Sequence, residues 1–443
     1  MGLREETGLK DGFILASAGA SRRAIVRGIL AVSRKLTAPK ITRILVGPFL
    51  RADRHARASD LAVGDARSIL VVRLDAIGDL VLMSPFLREL RRSNPVTWIT
   101  LVVDPRFVNL MELCPHVNAV LTFDPQYPGR TGLLGLHFRA LRLARVHLWP
   151  RRFDLALLPR WDVDDYHSAF VAYFSGAPCR IGYSENVSPM KQRMNRDLDS
   201  LFTRTLFAHA PKHEVERNLD FLREVGGMVT DDHLELWLSE EDREAARAAL
   251  ASRGVTGGDL LIGIAPGAGH PKRLWPLGRF IEVGRFLVQE LGARLLIVGG
   301  PEDRELAFRL QQKLGAAAFS FAGETTLRQT AALLEHAQLM VANDSGPMHL
   351  AAAAGAAVVE ISCHPVGAGQ SHPNSPVRFH PWTAEYLALQ PEKPSEPCSS
   401  ACNWYEPHCI LGVSVDAVHE AARTLLQRRQ STQREKLGAH HAV

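Results

Sequence analysis

This 443-residue sequence has few cysteines and no long apolar run, and both absences limit where the protein can act. Six cysteines are too few for a disulfide scaffold in a chain of this length, which favours a reducing compartment. No stretch offers the ~18 consecutive apolar residues that a membrane-spanning helix requires. The N-terminus also lacks the apolar core and small-residue cleavage site of a secretory signal. We therefore expect a cytoplasmic protein.

Motifs of several cofactor-dependent and metal-dependent enzymes are absent as well. No Gly-x-Gly-x-x-Gly sequence follows the first predicted strand, which argues against a dinucleotide-dependent oxidoreductase. The Gly-rich segment described below does not have the spacing of a Walker loop. No DxD-type carboxylate pair ends a strand in the first half of the chain, because Asp162, Asp164 and Asp165 fall at the start of a predicted helix. We expect a reaction that uses neither a metal nor a cofactor.

Positive charge is concentrated in an N-terminal extension. Residues 1–66 hold 12 basic and 6 acidic residues, whereas the rest of the chain is nearly neutral. A nearly neutral body argues against a nucleic-acid partner. Apolar residues recur at helical spacing on one face of this extension: Ile25, Ile29, Val32 and Leu36. Basic residues lie on the opposite face: Arg23, Arg27 and Arg34. Such a helix could bind an anionic membrane surface through residues 22–57, at the inner face of the cytoplasmic membrane, or pack on the protein with its basic face in water.

Short β-branched runs alternate with helical segments after the extension, which predicts parallel sheets covered by helices on both faces. The first series comprises residues 69–74, 98–103, 119–123 and 154–158. The second series comprises residues 260–265, 295–298, 319–322, 339–342 and 358–361. We predict two doubly wound, Rossmann-like α/β domains, residues 67–230 and 231–413, with a hinge near 226–240. A helix over 414–427 and a disordered tail over 428–443 complete the prediction.

A first motif ends the first predicted strand and begins a helix: Arg73, Asp75, Gly78 and Asp79. Open α/β sheets bind ligands outside the carboxyl ends of their strands. Gly78 would permit close approach of the backbone, and Asp79 in the first helical turn could accept the proton of an attacking hydroxyl. Asp79 could instead cap the helix, and Asp75 could serve as the base.

A second motif, residues 265–276, follows the first strand of the second series. Gly267, Ala268 and Gly269 leave backbone amides accessible, and Lys272 and Arg273 add two positive charges. The segment therefore suits a diphosphate whose negative charge rises when a bond to it breaks. In the alternative interpretation, the two cations are simply solvated at the start of a helix.

Two more motifs lie at strand-to-helix turns of the second domain. One contains six candidate contacts for a pyrophosphate at a helix N-terminus: Asp344, Ser345, Gly346, Pro347, Met348 and His349. His349 could donate to a phosphate or pack between the domains, and Asp344 could orient neighbouring amides. The other motif, residues 299–303, places Glu302 where an acidic residue could bind ribose hydroxyls or favour the helix dipole.

These four motifs, in this order, resemble the heptosyltransferase family, glycosyltransferase family 9, over residues 68–426. The resemblance implies a GT-B fold, in which two Rossmann-like domains face a central cleft, preceded here by the basic helical extension. It implies inverting, metal-independent transfer of a sugar, a heptose in this family, from an ADP-sugar to a hydroxyl of the lipopolysaccharide core or a related glycan. The donor is a substrate, so no cofactor is implied.

The resemblance also implies roles for individual residues. Asp79 is the expected base, Lys272 the expected catalytic cation at the diphosphate, and Glu302 the expected ribose ligand. Arg73, Asp75 and Gly78 become candidates on the acceptor side. Two alternatives stay open: a sugar-nucleotide epimerase of the same fold, and an inactive nucleotide- or glycan-binding protein.

Three cysteines lie close together near the C-terminus: Cys398, Cys402 and Cys409. A zinc site would need a fourth ligand, for which His408 is a candidate. The spacing matches no standard zinc motif, so we expect reduced or structural thiols.

Overall fold

The computed structural model describes residues 38–50, 61–125, 132–399 and 401–440. The basic amphipathic helix predicted over residues 23–36 lies outside these ranges. Within the extension, the structure describes helix α1, Ala38–Val46. Among the described residues, no helix is both long and apolar enough to cross a membrane.

The first domain is built on a six-stranded parallel sheet with the order β3-β2-β1-β4-β5-β6. Its strands are β1 (Ser68–Val72), β2 (Trp98–Val103), β3 (Ala119–Thr122), β4 (Leu155–Leu158), β5 (Cys179–Tyr183) and β6 (Arg204–Leu206). Its helices are α2 (Ile77–Val81), α3 (Ser84–Ser93), α4 (Val108–Met111), α5 (Gly132–Leu143), α6 (Ser168–Phe174), α7 (Pro189–Met194) and α8 (Glu214–Glu224). Every residue of β1 is buried because helices cover both faces of the sheet.

The second domain repeats this architecture, with the strand order β12-β11-β10-β7-β8-β9. Its strands are β7 (Leu261–Ala265), β8 (Arg294–Ile297), β9 (Ala318–Ser320), β10 (Leu339–Asn343), β11 (Ala357–Ile361) and β12 (Tyr386–Leu389). Its helices are α9 (Glu240–Ser252), α10 (Leu277–Gln289), α11 (Arg304–Leu314), α12 (Leu327–Leu334), α13 (Gly346–Ala353) and α14 (Pro376–Phe379). A last helix, α15 (Val415–His440), packs on the same sheet.

The strand order fixes where each domain can bind a ligand. The chain leaves β1 towards one edge of the first sheet and later returns to the other side of β1 as β4. It does the same around β7 and β10 in the second sheet. A crevice opens at such a switch point, outside the carboxyl ends of the two central strands. The first three sequence motifs follow β1, β7 and β10 and therefore all lie at these crevices.

The prediction of two doubly wound α/β domains is confirmed, and each predicted strand is present with small differences at its ends. Strands β5, β6 and β12 were missed because β5 and β12 contain few β-branched residues and β6 is only three residues long. The last helix does not end at residue 427, where we placed its end, but continues to His440. The segment beyond 427 is rich in Gln, Arg, Glu and Lys, which are good helix formers.

A buried ion-pair network joins the two domains. Arg378, in α14 of the second domain, has a side chain that is only 1% exposed. It donates to Glu214 Oε1 at 2.7 Å and to Asp162 Oδ2 at 2.8 Å, both in the first domain. Its guanidinium also lies over the ring of Trp161. Removing one member of such a network would leave a buried charge without its partner, so the network opposes separation of the domains.

Candidate active site

A cavity of about 230 Å³ lies between the domains at the carboxyl ends of the central strands. The first domain contributes residues that follow β1 and β4, including Arg73, Gly78, Asp79, Arg160 and Asp162. The second domain contributes residues of the second and third motifs, including Arg273, Asp344, Ser345, Gly346 and His349. The structure therefore brings three of the four sequence motifs to one cavity.

Two helix N-termini meet across this cavity, α2 from the first domain and α13 from the second. A Cβ atom on Gly78 would lie 2.5 Å from Cδ2 of His349. A Cβ atom on Gly346 would lie 3.0 Å from Cβ of Ile77. Gly78 does permit a close approach, as predicted, but here the approaching group is a side chain of the other domain.

Asp75 is held in buried ion pairs and does not face the cavity. Its Oδ1 lies 2.8 Å from Nε of Arg73, and its Oδ2 pairs with Arg160. Arg73 lines the cavity but also donates to the carbonyl oxygen of Pro159 at 2.7 Å. Both oxygens of Asp75 thus pair with arginines, and the residue does not line the cavity, which argues against its candidacy as base and acceptor contact. Its role is to position Arg73 and Arg160.

Asp79 caps helix α2 and also faces the cavity, so the structure is compatible with both interpretations that the sequence left open. Its Oδ2 accepts from the backbone N–H of Ala76 at 3.3 Å, so it caps helix α2. Its Oδ1 accepts from Nη2 of Arg73 at 2.9 Å, and the side chain stays 17% exposed at the cavity. Burial and the nearby Asp75 raise the pKa of Asp79 to about 6, opposed in part by Arg73 and Arg160. A carboxylate with this pKa is ionised at neutral pH and is a stronger base than an ordinary aspartate.

The Gly-rich loop is fixed at both ends by Asn343, a residue that was not among our site candidates. Its Nδ2 donates to the carbonyl oxygen of Pro266 at 2.8 Å, and its Oδ1 accepts from the N–H of Trp275 at 3.2 Å. Gly267 packs against Asp303, since a Cβ atom there would lie 2.1 Å from that carboxylate. The Ala268 and Gly269 part of the loop is more exposed and remains available to a ligand.

The two cations of this loop point to different places. Arg273 lines the cavity, with Nη1 3.3 Å from Oδ2 of Asp344 and Nη2 donating to Asn374 at 2.8 Å. Lys272 is not among the described residues that line the cavity, and its Nζ lies 3.4 Å from the carbonyl oxygen of Cys402. In this structure Arg273 therefore supplies the positive charge of the loop to the cavity.

The N-terminus of α13 lies at the cavity, where Ser345 and Gly346 are lining residues, although the N–H of Met348 already donates to the carbonyl oxygen of Ser345 at 3.2 Å. Ser345 stands at the N-cap, but its Oγ donates to the carbonyl oxygen of Asn343 at 3.1 Å instead of capping the helix. Pro347, in the first turn, has no N–H to offer. Unpaired amides at the start of a helix favour a phosphate.

Two candidates of this third motif, Met348 and His349, are buried, but only His349 lines the cavity. Met348 is fully buried in the core, so it supports the helix from behind and does not face a ligand. His349 is also buried, and burial lowers its pKa to about 3, so the imidazole is neutral at physiological pH. It packs against the first domain at Gly78 and also lines the cavity, so its donation to a phosphate stays a prediction. Asp344 pairs with Arg273, in keeping with an orienting role.

Glu302 lies outside the cavity. It is exposed in a short turn, Pro301–Asp303, beyond the carboxyl end of β8. It is thus on the same edge of the sheet as the Gly-rich loop, and its role at a ribose stays a prediction.

Sequence reasoning missed the cavity residues Arg160, Asp162, Glu214 and Arg378. Arg160 and Asp162 follow the predicted strand β4, and the strand-end rule that identified Asp79 could have identified them too. Arg378 lies in a segment without periodicity, so nothing in the sequence indicated its contact with the first domain.

One cluster outside the cavity has the side chains of a metal site. The ligating atoms of Cys398, Cys402, His408 and Cys409 all lie within 4.8 Å of one another. The three thiols are free, as expected, and they lie together with His408, the fourth residue of the zinc alternative that the sequence raised.

The family of the chain follows from these observations together with its similarity to known proteins. Residues 147–407, more than half of the chain, match the profile of glycosyltransferase family 9 (heptosyltransferase). The chain belongs to this family and is a glycosyltransferase.

Individual relatives agree with this assignment. The chain is 26% identical over 298 residues to lipopolysaccharide heptosyltransferase 2 of Escherichia coli K12, covering 64% of this chain and 79% of that protein. It is 23% identical to the lipopolysaccharide core heptosyltransferase OpsX of Haemophilus influenzae, covering 66% and 78%.

Solved structures share the fold. A family 9 glycosyltransferase of Veillonella parvula superposes with a TM-score of 0.67 and 25% identity, covering 82% of this chain and 98% of that one. ADP-heptose lipopolysaccharide heptosyltransferase II of E. coli superposes with a TM-score of 0.60 and 22% identity, covering 82% and 99%. The predicted GT-B fold is therefore confirmed.

The contact between Gly78 and His349 gives a first prediction. Gly78→Ala places a methyl group against a buried imidazole and should destabilise the protein by about 1–3 kcal/mol. Gly278→Ala is a matched control, because Gly278 also stands second in a helix but has open space around it. The control should be neutral or stabilise by about 0.4–1 kcal/mol. Urea unfolding measures both, and equal effects would contradict the proposed contact.

Proposed function

We propose that this chain is an inverting, metal-independent heptosyltransferase that transfers a heptose from an ADP-heptose donor to a hydroxyl of the lipopolysaccharide core or a related glycan. One observation carries the proposal. A carboxylate with a raised pKa, Asp79, faces the N-terminus of helix α13 and Arg273 across one interdomain cavity. The names of the relatives support the sugar and the acceptor, and the family resemblance supports the nucleotide.

The proposed reaction is a single displacement. The acceptor hydroxyl loses its proton to Asp79 while its oxygen attacks the anomeric carbon of the donor. The bond between that carbon and the diphosphate oxygen breaks on the opposite face, which inverts the configuration. The charge that develops on the diphosphate is stabilised by the positive end of the α13 dipole and by the Arg273 guanidinium. Arg73 holds Asp79 in place through the contact described above.

The first test concerns Asp79 and pH. Asp79→Asn should lower kcat by about 10²–10⁴-fold. Because the base must be ionised and its pKa is about 6, kcat/KM of the wild type should fall about tenfold per pH unit below pH 6 and level off above it. Initial rates between pH 4.5 and 8.5, about 2 units on either side of that pKa, measure the profile. A pH-independent rate across this range would contradict the assignment.

Stability provides the control for folding. The folded pKa of Asp79 lies above its ordinary value of 3.8, so this group stabilises the fold most at low pH. That contribution is lost as the pH rises from about 4 through about 6. The wild type should therefore lose stability relative to Asp79→Asn over this range, and a well-folded, inactive Asn variant would separate chemistry from folding.

A second test concerns the donor. Calorimetry of the purified protein against ADP, UDP and GDP should show selective binding of ADP. Arg273→Gln should weaken that binding about tenfold or more, because it removes a charged hydrogen-bond donor from the cavity. Arg285→Gln, on the exposed side of α10, is the matched control and should bind ADP normally.

The same titrations decide between the two cations of the loop. Weakened binding in Lys272→Ala but not in Arg273→Gln would mean that Lys272 turns from its contact with Cys402 to the diphosphate. Absence of nucleotide binding by the wild type would instead favour the inactive alternative. Incubating the ADP-sugar without an acceptor tests the epimerase alternative, since an epimerase would isomerise the sugar of the donor when no acceptor is present.

We also propose that the enzyme docks on an anionic membrane at the cytoplasmic face, where its acceptor would be anchored. Helix α1 exposes Ile44 and Leu45, and the neighbouring helix α5 exposes Leu134 and Phe138. The two helices touch through Thr42 and His137, whose polar atoms are 2.8 Å apart. Two exposed arginines follow these apolar residues in the sequence: Arg142 in the last turn of α5 and Arg145 just after the helix. Apolar side chains flanked by basic ones suit an anionic lipid surface.

Vesicle sedimentation tests this surface. The wild type should sediment with vesicles that contain anionic lipid and not with purely zwitterionic ones. The double variant Leu134→Ser/Phe138→Ser should lose at least about tenfold in affinity, since each apolar side chain contributes ~1.5–3 kcal/mol when buried. Phe308→Ser, which changes an exposed phenylalanine of the second domain, is the control. Unchanged binding of the double variant would contradict this docking face.

A further inference from the structure

The segment between β12 and α15 gathers four metal-binding side chains in one place. Cys398, Cys402, His408 and Cys409 come from a stretch of twelve residues, and their ligating atoms lie within 4.8 Å of one another. Nδ1 of His408 is 3.6 Å from Sγ of Cys398 and 3.6 Å from Sγ of Cys409. None of the four lines the interdomain cavity.

These separations are those of a tetrahedral metal site. Zinc binds sulfur at about 2.3 Å and imidazole nitrogen at about 2.0–2.1 Å, which places a nitrogen and a sulfur ligand of one tetrahedron about 3.6 Å apart. The distances from Nδ1 of His408 to the two sulfur atoms both have this value. The set is also complete, because three cysteines and one histidine fill the four positions of a structural site.

The backbone around the cluster has no regular secondary structure to hold it in place. Between Leu389 and Cys409, the described residues form neither a helix nor a strand. Cys402 and Cys409 are buried, whereas Cys398 and His408 are half-buried near the surface. All three thiols are free, and a disulfide could join only two of them. A metal ion would engage all four side chains and tie this irregular segment to one point.

We propose that Cys398, Cys402, His408 and Cys409 bind one thiophilic divalent metal ion, zinc or ferrous iron, in a closed structural site. Three thiols lose their protons on binding, and the neutral imidazole supplies the fourth electron pair through Nδ1. Soft sulfur ligands in tetrahedral geometry select these ions over magnesium or calcium. The site has no open position, so it takes no part in the transfer reaction.

The segment that carries the cluster also supports the Gly-rich loop. The carbonyl oxygen of Cys402 lies 3.4 Å from Nζ of Lys272, and the ring of Tyr405 packs edge-on against His270 at 5.3 Å. Just beyond the cluster, the carbonyl oxygen of Val413 accepts from Nε1 of Trp275 at 3.0 Å. The metal would thus hold in place the segment that packs against the Gly-rich loop. Loss of the metal would then weaken ADP binding, a consequence that rests on the proposed function.

Metal content tests the site without any substrate. The full chain, produced without a polyhistidine tag, should retain one metal ion per chain after exhaustive dialysis, and elemental mass spectrometry tells zinc from iron. Cys398→Ser changes the half-buried ligand and should lose the ion. Cys114→Ser, at a buried cysteine of the first domain, is the matched control and should keep it. Because no donor or acceptor is present, failure of the proposed glycosyl transfer would leave this result unchanged.

A titration of the wild type covers the case in which the Ser variant does not fold. Stepwise addition of a mercurial thiol reagent should release the ion as the cluster cysteines react, and Co²⁺ exchanged into the site should show the strong visible bands of tetrahedral thiolate coordination. A wild type that retains neither zinc nor iron would overturn the proposal. So would a disulfide among Cys398, Cys402 and Cys409 in freshly purified protein.

Discussion

The active site depends on one buried guanidinium, that of Arg73. It stands at the end of β1 and touches Asp75, Asp79 and the carbonyl oxygen of Pro159 after β4, so it joins the two central strands of the first sheet. Its charge also sets the chemistry of Asp79. Burial and Asp75 alone would raise the pKa of Asp79 further, and Arg73 with Arg160 limits that rise to about 6. The pKa that suits Asp79 to its proposed role as the base is thus the result of opposing charges held at fixed distances.

The approach of the two domains is the second constraint, and it limits where a nucleotide sugar can lie. Gly78 and Gly346 let α2 and α13 begin almost in contact, and the buried pairs of Arg378 hold the domains at that distance. The cavity of about 230 Å³ is below the ~300–1,000 Å³ of typical ligand pockets. We infer that it receives only the diphosphate and the reacting sugar. The nucleoside would then extend along the carboxyl edge of the second sheet, where Glu302 is exposed.

The sequence predicted where the interdomain cavity would lie and several of the side chains that line it, but not the partners that position those side chains. Strand-end motifs identified the crevices because the rules for doubly wound sheets depend on local patterns and chain order alone. The choice between Asp75 and Asp79, or between Lys272 and Arg273, depends on partners far away in the sequence, such as Arg160 and Cys402. The same holds for Arg378, whose partners are about 160 to 220 residues distant. Pairings of this kind are fixed by tertiary packing, on which periodicity and propensity carry no information.

Burial limits the negative charge that the second domain places near the cavity. Asp344 lies 3.3 Å from Arg273 and would by itself neutralise that guanidinium. Glu360, which is also buried, has its pKa raised well above the ordinary value by burial and by Asp344, which favours its neutral form. A second buried carboxylate would leave a net negative charge and repel a diphosphate. The neutral form of Glu360 adds no charge to the ion pair of Asp344 and Arg273, so the positive end of the α13 dipole sets the sign of the electrostatic potential that a phosphate would meet.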